Sequence, residues 1–244
     1  MLRIVPKLKG TDKLRAGLRK RLSKLKTTTQ TKKGAVGRES AFRIEQEGAG
    51  QVVLIGPANV GKSALVSALT NATPEVADFP YTTWKPTPGM MPMENIKIQL
   101  VDTPPLNRDY MEPELLDLIR RADHLLLMVD LQTDPLHQLE DSVDILTEHR
   151  IVPAHLKATY PEQRGMTFIP LMVLANKFDD ENFNEDFAIF CELLDTQWPL
   201  LPVSAFTGRN LEELKRILYQ KLEIIRVYSK APGKEPDLKA PFVL

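Results

Sequence analysis

The chain has 244 residues, enough to bury one substantial core and carry an appendage. Its 43% hydrophobic and 26% charged residues are those of a soluble globular protein. No apolar run approaches the roughly 18 residues that a membrane span needs, and a single cysteine, Cys191, excludes an internal disulfide. The four His and the one Cys show no metal-ligand spacing. The N-terminus is basic rather than signal-like, and one thiol suits a reducing compartment, so the expected location is cytoplasmic.

The zero net charge conceals a division. Residues 1–38 hold 13 Lys or Arg against Asp12, a balance of +12, and the remainder balances at −12. Within this extension Leu14, Leu18, Leu22 and Leu25 recur at spacings of four, four and three, which predicts a short basic amphipathic helix. Thr27 to Gly34 breaks the pattern and reads as a linker. Three readings of the extension stand open. The cationic helix can lie on RNA phosphates, pack its leucine stripe on the rest of the protein, or form a mostly disordered tail.

From about Phe42 to about Arg226 strand and helix patterns alternate. Gln51–Ile55 is a short apolar, β-branched run, followed by a helix opening near Ser63. Ile96–Val101 alternates as a strand and ends on Asp102; Glu112–Ala122 has helical spacing. Leu125–Val129 is apolar throughout, as a strand covered on both faces is. Ser142–Arg150 predicts a helix, Ile151–Met166 an irregular connection, and Ile169–Ala175 another buried strand. Phe183–Leu194 is helical, Pro199–Val203 a short strand and Leu211–Ile225 a helix. This alternation predicts an α/β fold with a mostly parallel sheet and helices on both faces.

Gly56-Pro57-Ala58-Asn59-Val60-Gly61-Lys62-Ser63 falls between the first strand and its helix and fits the template G-x-x-x-x-G-K-[ST]. Gly56 and Gly61 let the backbone approach a ligand closely, and the loop amides make a nest for an anion at the positive end of a helix. Lys62 is expected to reach the β- and γ-phosphates and the Ser63 hydroxyl to ligate Mg²⁺. Val60 and Ala64 complete this set of nucleotide contacts. Asp102 places a carboxylate at a strand end, where it holds Mg²⁺ directly or through water. Asn176-Lys177-Phe178-Asp179 ends another strand. Its NKxD spacing suits guanine, because the Asp179 carboxylate accepts from both the ring N–H and the exocyclic amine, a donor pair that adenine lacks. Lys177 is expected to lie along the nucleotide, Asn176 to tie this loop to the phosphate loop, and Ser204-Ala205 to contact the base through backbone.

These motifs together resemble those of translation-factor-type GTPases, specifically the Obg and developmentally regulated GTP-binding (DRG) group, over about Val52 to Arg226. The resemblance implies a three-layer, Ras-like G domain at 42–226, with a basic N-terminal extension and linker at 1–40. Phe79-Pro80-Tyr81-Thr82-Thr83, with Pro86 and Gly89 following, looks like the first switch of that group. It implies Thr83, with Thr82 second, as the threonine that closes over Mg²⁺ and the γ-phosphate beside Lys62 and Asp102. Residues 227–244 look like the opening of a TGS module. That stretch is expected to be poorly anchored after Ser229 or docked on the main domain.

Two positions depart from the group's pattern or shape its rate. Where the second switch reads DxxG, this chain has Pro105, which has no N–H for the γ-phosphate. Leu106 follows in place of a water-orienting glutamine, which implies slow intrinsic hydrolysis. The group's helix-rich insertion is missing. Asn59 stands where potassium-stimulated GTPases place a K⁺ ligand, or is simply a loop-stabilising asparagine. The resemblance implies a GTPase that turns GTP into GDP with Mg²⁺ and works at the ribosome or on RNA. A nucleotide-dependent scaffold and an RNA-binding module with negligible turnover are the competing classes, and the sequence leaves the oligomeric state open.

Overall fold

Successive side chains of a strand point to opposite faces of its sheet. In Gln51–Ile55 (β1) this sends Val52 and Leu54 to one side and Val53 and Ile55 to the other, and all four are fully buried. Such a strand belongs at the centre of a covered sheet. The computed structural model describes residues 44–70, 86–160, 165–230 and 241–243. By its contacts the chain divides at residue 40, and all described residues belong to 41–244.

Around β1 stand Thr87–Met93 (β2), Ile96–Asp102 (β3), His124–Asp130 (β4), Leu171–Asn176 (β7) and Leu200–Pro202 (β8), in the order β2-β3-β1-β4-β7-β8. The pairings are parallel except β2 with β3, which form an antiparallel hairpin. Helices α1 (Lys62–Leu69) and α5 (Leu211–Lys221) cover the face that carries Val52 and Leu54. Helices α2 (Pro113–Arg121), α3 (Pro135–Glu148) and α4 (Asn184–Leu193) cover the face of Val53 and Ile55. The result is a three-layer α/β sandwich, the architecture expected from the alternation.

The structure corrects several boundaries. Ile151–Met166 is not irregular throughout. It contains Ile151–Pro153 (β5), which pairs in parallel with Thr167–Ile169 (β6) as a separate ribbon, and a 3-10 turn at Ala154–Thr159. A three-residue strand is too short to show a period. The expected strand Ile169–Ala175 breaks at Pro170, which has no N–H for a ladder; β6 ends before it and β7 begins after it. Helix α3 starts seven residues before the expected Ser142. Its start is set by Pro135 in the first turn and by Asp134, whose side chain accepts from the His137 N–H at 3.1 Å. Helix α5 stops at Lys221 rather than Ile225.

Gly89, read with the first switch, stands inside β2, where a Cβ would meet the Thr70 side chain at 2.8 Å. Pro88 and Pro92 disguised β2, and both are tolerated because it is an edge strand. The Arg226–Val227 (β9) and Phe242–Val243 (β10) strands form an antiparallel ribbon. The Arg226 guanidinium pairs with Glu94 and donates to Asn95 Oδ1 at 2.9 Å, and Asn95 Nδ2 donates to Tyr228 Oη at 3.1 Å. This ties the segment after α5 to the β2–β3 turn. The basic helix at 1–38, the Thr27–Gly34 linker and the switch residues Phe79–Thr83 lie outside the described residues.

Candidate nucleotide site

Three parallel strands end on a polar residue at the same edge of the sheet: β3 on Asp102, β4 on Asp130 and β7 on Asn176. Each follows an apolar run and each is buried. The crevice beyond the carboxyl ends of such strands is where ligands bind in open α/β sheets.

The phosphate-loop sequence runs from β1 into this crevice. Gly56 has φ 137° and Gly61 φ 94°; a Cβ on Gly56 would sit 2.4 Å from Met128 O, and one on Gly61 2.3 Å from Asn176 Nδ2. Glycine is therefore required at both by neighbours as well as by conformation. Helix α1 begins directly after Gly61, with no side chain capping it and no acid in its first turn. Its first N–H groups are left for an anion. Lys62 is 7% exposed and donates to Gly56 O at 3.0 Å and Pro57 O at 2.6 Å. Burial lowers its pKa to about 8, against the opposing pull of Asp102.

Asp102 is 2% exposed. Its Oδ2 accepts from the Ser63 hydroxyl at 2.5 Å, and its Oδ1 is buried with no hydrogen-bond partner. Burial raises its pKa, while Ser63, Lys62 and the Thr103 N–H pull the other way. A buried orphan carboxylate oxygen beside a hydroxyl is a donor set that fits Mg²⁺, which takes few protein ligands and completes its octahedron with phosphate and water oxygens. Among the described residues no cluster of three His, Cys, Asp or Glu converges, so a metal held wholly by side chains is not what this edge offers.

Asn176 joins three loops. Its Nδ2 donates to Val60 O in the phosphate loop at 2.7 Å, and its Oδ1 accepts from Ala205 N at 3.0 Å. Asp179 is held from two sides: Oδ1 accepts from the Ser204 hydroxyl at 2.5 Å and Oδ2 from Gln132 Nε2 at 3.4 Å. The Ser204 N–H donates to Arg209 O at 3.1 Å. The N–H groups of Ser204 and Ala205, the pair expected to contact the base through backbone, both donate within the protein, and the Ser204 hydroxyl holds Asp179. Ala64 is exposed on the first turn of α1, and Asn59 is exposed with φ 63°. Thr83 and Thr82 lie outside the described residues.

Sequence reasoning missed a second layer. Lys177, at φ 66°, pairs its Nζ with Asp130 Oδ2, and Gln132 Nε2 donates to Lys177 O at 2.9 Å. The Asp130 N–H in turn donates to Gln138 Oε1 at 2.9 Å, which links the first turn of α3 to the crevice. The signal for Asp130 was present: a carboxylate at the end of a strand, as Asp102 is, here after the apolar run Leu125–Val129. In the stretch after Asp102, Pro105 is exposed, and the buried Leu106 packs into the core while its N–H donates to Gly56 O at 3.2 Å. Arg108 binds Asp141 at 2.9 Å, with Asp144 and Glu148 within 3.6 Å, so the segment rests on α3.

A family model described as 50S ribosome-binding GTPase matches residues 51–158. An uncharacterized GTP-binding protein of Methanocaldococcus jannaschii is 29% identical over 301 positions, covering all of this chain and 76% of the relative. That alignment is longer than the 244 residues here, so the relative carries insertions that this chain lacks. Developmentally-regulated G-protein 1 of Arabidopsis thaliana is 25% identical over 98% of this chain and 73% of its own length. GTPase Obg of Aquifex aeolicus is 30% identical over 81% of this chain and 57% of its own. Among solved structures, a variant of Era from Aquifex aeolicus superposes with a TM-score of 0.52 at 21% identity over 70% of this chain and 56% of that one, which supports the fold. With the phosphate loop, the strand-end Asp102 and the NKxD sequence gathered at one edge of the sheet, the chain is similar to the P-loop GTPases of the Obg and DRG type.

Proposed function

We propose that this GTPase binds GTP and GDP with Mg²⁺ in the crevice at the ends of β1, β3 and β7, hydrolyses GTP slowly, and uses the nucleotide state to regulate an encounter with the ribosome or an RNA. The observation that carries the reading is the bridging by Asn176, which fixes the phosphate loop, the base-reading Asp179 and the Ser204 loop in one relative position. Recognition of a nucleotide needs those loops preorganised together, because each makes contacts only a few atoms wide.

In this reading Gly56, Val60, Gly61 and Ala64 present backbone to the phosphates, and Lys62 exchanges the carbonyls of Gly56 and Pro57 for phosphate oxygens. Ser63, Asp102 and Thr83 would hold Mg²⁺, which would supply positive charge against the charge that develops on the phosphates. Asn176, Lys177 and Asp179 select guanine, with Ser204 and Ala205 holding the loop that closes the site. No side-chain nucleophile is needed, since phosphoryl transfer asks chiefly for positioning and electrostatics. Pro105 offers no amide to a γ-phosphate and Leu106 is committed to the core, so γ-phosphate sensing falls to Thr83 and the phosphate loop.

Calorimetry with GDP, GTP, a non-hydrolysable GTP analogue and ATP tests this. Guanine nucleotides are expected to bind at micromolar concentration or better, with GDP and GTP within about tenfold of each other and ATP not competing. Equal competition by ATP would sink the guanine reading. The same observation of Pro105 and Leu106 favours a second reading, a nucleotide-dependent scaffold. A single-turnover rate equal to uncatalysed hydrolysis would select it.

Two finer parts of the proposal have their own tests. Asn59 supports a K⁺ beside the phosphates, as positive charge where no arginine finger is evident; equal turnover in K⁺ and Na⁺ removes it. The residues after 38 balance at −12, a charge that repels nucleic acid, so the basic 1–38 is the segment that would contact RNA phosphates. Replacing its Lys and Arg by Gln should flatten the salt dependence of ribosome co-sedimentation, and an unchanged slope removes that role. The single cysteine, which suits a reducing compartment, supports a cytoplasmic location; among the described residues no helix is long and apolar enough to cross a membrane.

A further inference from the structure

Phe178, the third residue of the NKxD sequence, is 4% exposed, and two side chains pack on its ring. The Arg209 guanidinium lies over it, 4.1 Å from the ring centroid, and the Phe187 ring of α4 stands 5.9 Å away at 55°. The Phe178 N–H donates to Val203 O at 3.0 Å. Arg209 belongs to none of the sequence motifs. Among the described residues its guanidinium makes no ion pair and no hydrogen bond, so the aromatic face is the partner it has. Arginine suits that place, being planar, permanently charged and weakly hydrated.

Arg209 reaches the same loop a second time, through its main chain. Its carbonyl accepts from the Ser204 N–H at 3.1 Å, and Ser204 Oγ donates to Asp179 Oδ1 at 2.5 Å. Asp179 follows Phe178 directly, so the contacts run in a closed circuit from Arg209 through Ser204, Asp179 and Phe178 back to Arg209. Asp179 is therefore fixed along two paths, by its own carboxylate and by the ring of its neighbour. The two differ in what they use. Ser204 and Gln132 hold Asp179 by its oxygens, which are the atoms a guanine needs. The Phe178 anchor holds the same stretch of chain without occupying an acceptor. We infer that Arg209 is a positioning residue for base selection: by clamping Phe178 it sets the direction in which Asp179 presents its carboxylate. The inference rests on the nucleotide reading above and deepens it by a residue on the protein side of the loop.

A cation over an aromatic ring is worth about 2- to 30-fold in an equilibrium constant. Arg209→Ala removes the side-chain arm and leaves the carbonyl that holds Ser204. GDP and IDP are the probes, because IDP lacks the exocyclic amine that Asp179 would accept. A misdirected carboxylate costs GDP two hydrogen bonds and IDP one. Calorimetry on the full chain with Arg209→Ala is expected to show GDP weakened within that range, IDP weakened less, and the GDP/IDP affinity ratio lowered. Arg209→Lys keeps a cation without the planar stack and should restore part of the ratio. In a Phe178→Leu background Arg209→Ala should lower the ratio no further, since the ring through which it acts is gone. The control Asp179→Asn is expected to lower the ratio with Arg209 intact.

An unchanged ratio in Arg209→Ala overturns the inference, and a fall in the urea midpoint alone would make Arg209 a brace for the fold. An Arg209→Ala effect that persists in full once Phe178 is replaced overturns it as well. Should Phe178→Leu not fold, the series Ala, Lys, Arg at position 209 carries the test: the ratio must rise in that order, and a flat series sinks the idea. If Asp179→Asn leaves the ratio unaltered, the base-reading assignment itself fails. The two failures are distinguishable, because one is read at position 209 and the other at position 179.

Discussion

Lys62 is the residue whose chemistry the fold alters most usefully. It is buried and donates to two loop carbonyls, and desolvation brings its pKa to about 8 rather than the usual 10.5. Two oxyanions arriving with a nucleotide favour the charged ammonium, so binding should pull a proton onto Lys62 wherever it has lost one. Below pH 8 the free lysine is already charged and binding is independent of this proton. Above pH 8 affinity for GDP should fall, approaching tenfold per pH unit, because only the protonated form offers charge to the phosphates. Calorimetry at pH 8 in two buffers of different ionisation enthalpy should reveal uptake of about half a proton per nucleotide. No uptake would mean that Lys62 keeps its proton, and the buried-lysine account would be wrong. At this scale the sequence was informative wherever a motif carries the chemistry. Lys62, Ser63, Asp102, Asn176 and Asp179 all stand at the crevice. It was silent on what Asp130 and Gln132 hold, because they position Lys177 across 45 or more positions, with no spacing to betray it.

Elements were legible in proportion to their burial and length. β1, β4 and β7 are covered on both faces, so their runs are continuously apolar and easily seen. β2 is an edge strand with two prolines and a glycine, and what makes it a strand is its hairpin with β3. The start of α3 was missed because the periodic signal begins late, while the fixed signal is local: Asp134 followed by Pro135. That cap also makes a measurable contribution. Asp134 Oδ1 satisfies an N–H of the first turn that has no partner within the helix. Asp134→Ala should destabilise the protein by about 1 kcal/mol, within the usual range of roughly 0.5–2 for such caps. Urea denaturation should show a lower midpoint at unchanged slope, whereas an unaltered midpoint would mean that α3 is held by packing alone.

For the molecule as a whole, one side chain with no part in the crevice contributes to acid stability. His124 opens β4, pairs in register with Val52 of the central strand, and is 2% exposed with neither ring nitrogen hydrogen-bonded. Desolvation, aided by the positive charge of Lys221, lowers its pKa to about 4 from 6.5. The folded state therefore keeps this imidazole neutral where the unfolded chain protonates it. Between those two values the unfolded state binds more protons, so unfolding becomes easier as pH falls. The contribution is fully present above pH 6.5 and is lost progressively down to about pH 4, where it amounts to on the order of 3 kcal/mol. That is a sizeable share of the roughly 5–15 kcal/mol that holds a typical domain together. Carboxylates also titrate in this range, so the difference between proteins isolates the histidine. His124→Leu keeps an apolar group of similar reach and removes the proton site. Denaturant midpoints for the two proteins should run parallel from pH 8 to about 6.5 and then separate, the variant becoming the relatively more stable toward pH 4. If the two curves keep a constant gap across that window, His124 is protonated or hydrated in the fold, and the acid sensitivity must be sought among the carboxylates instead.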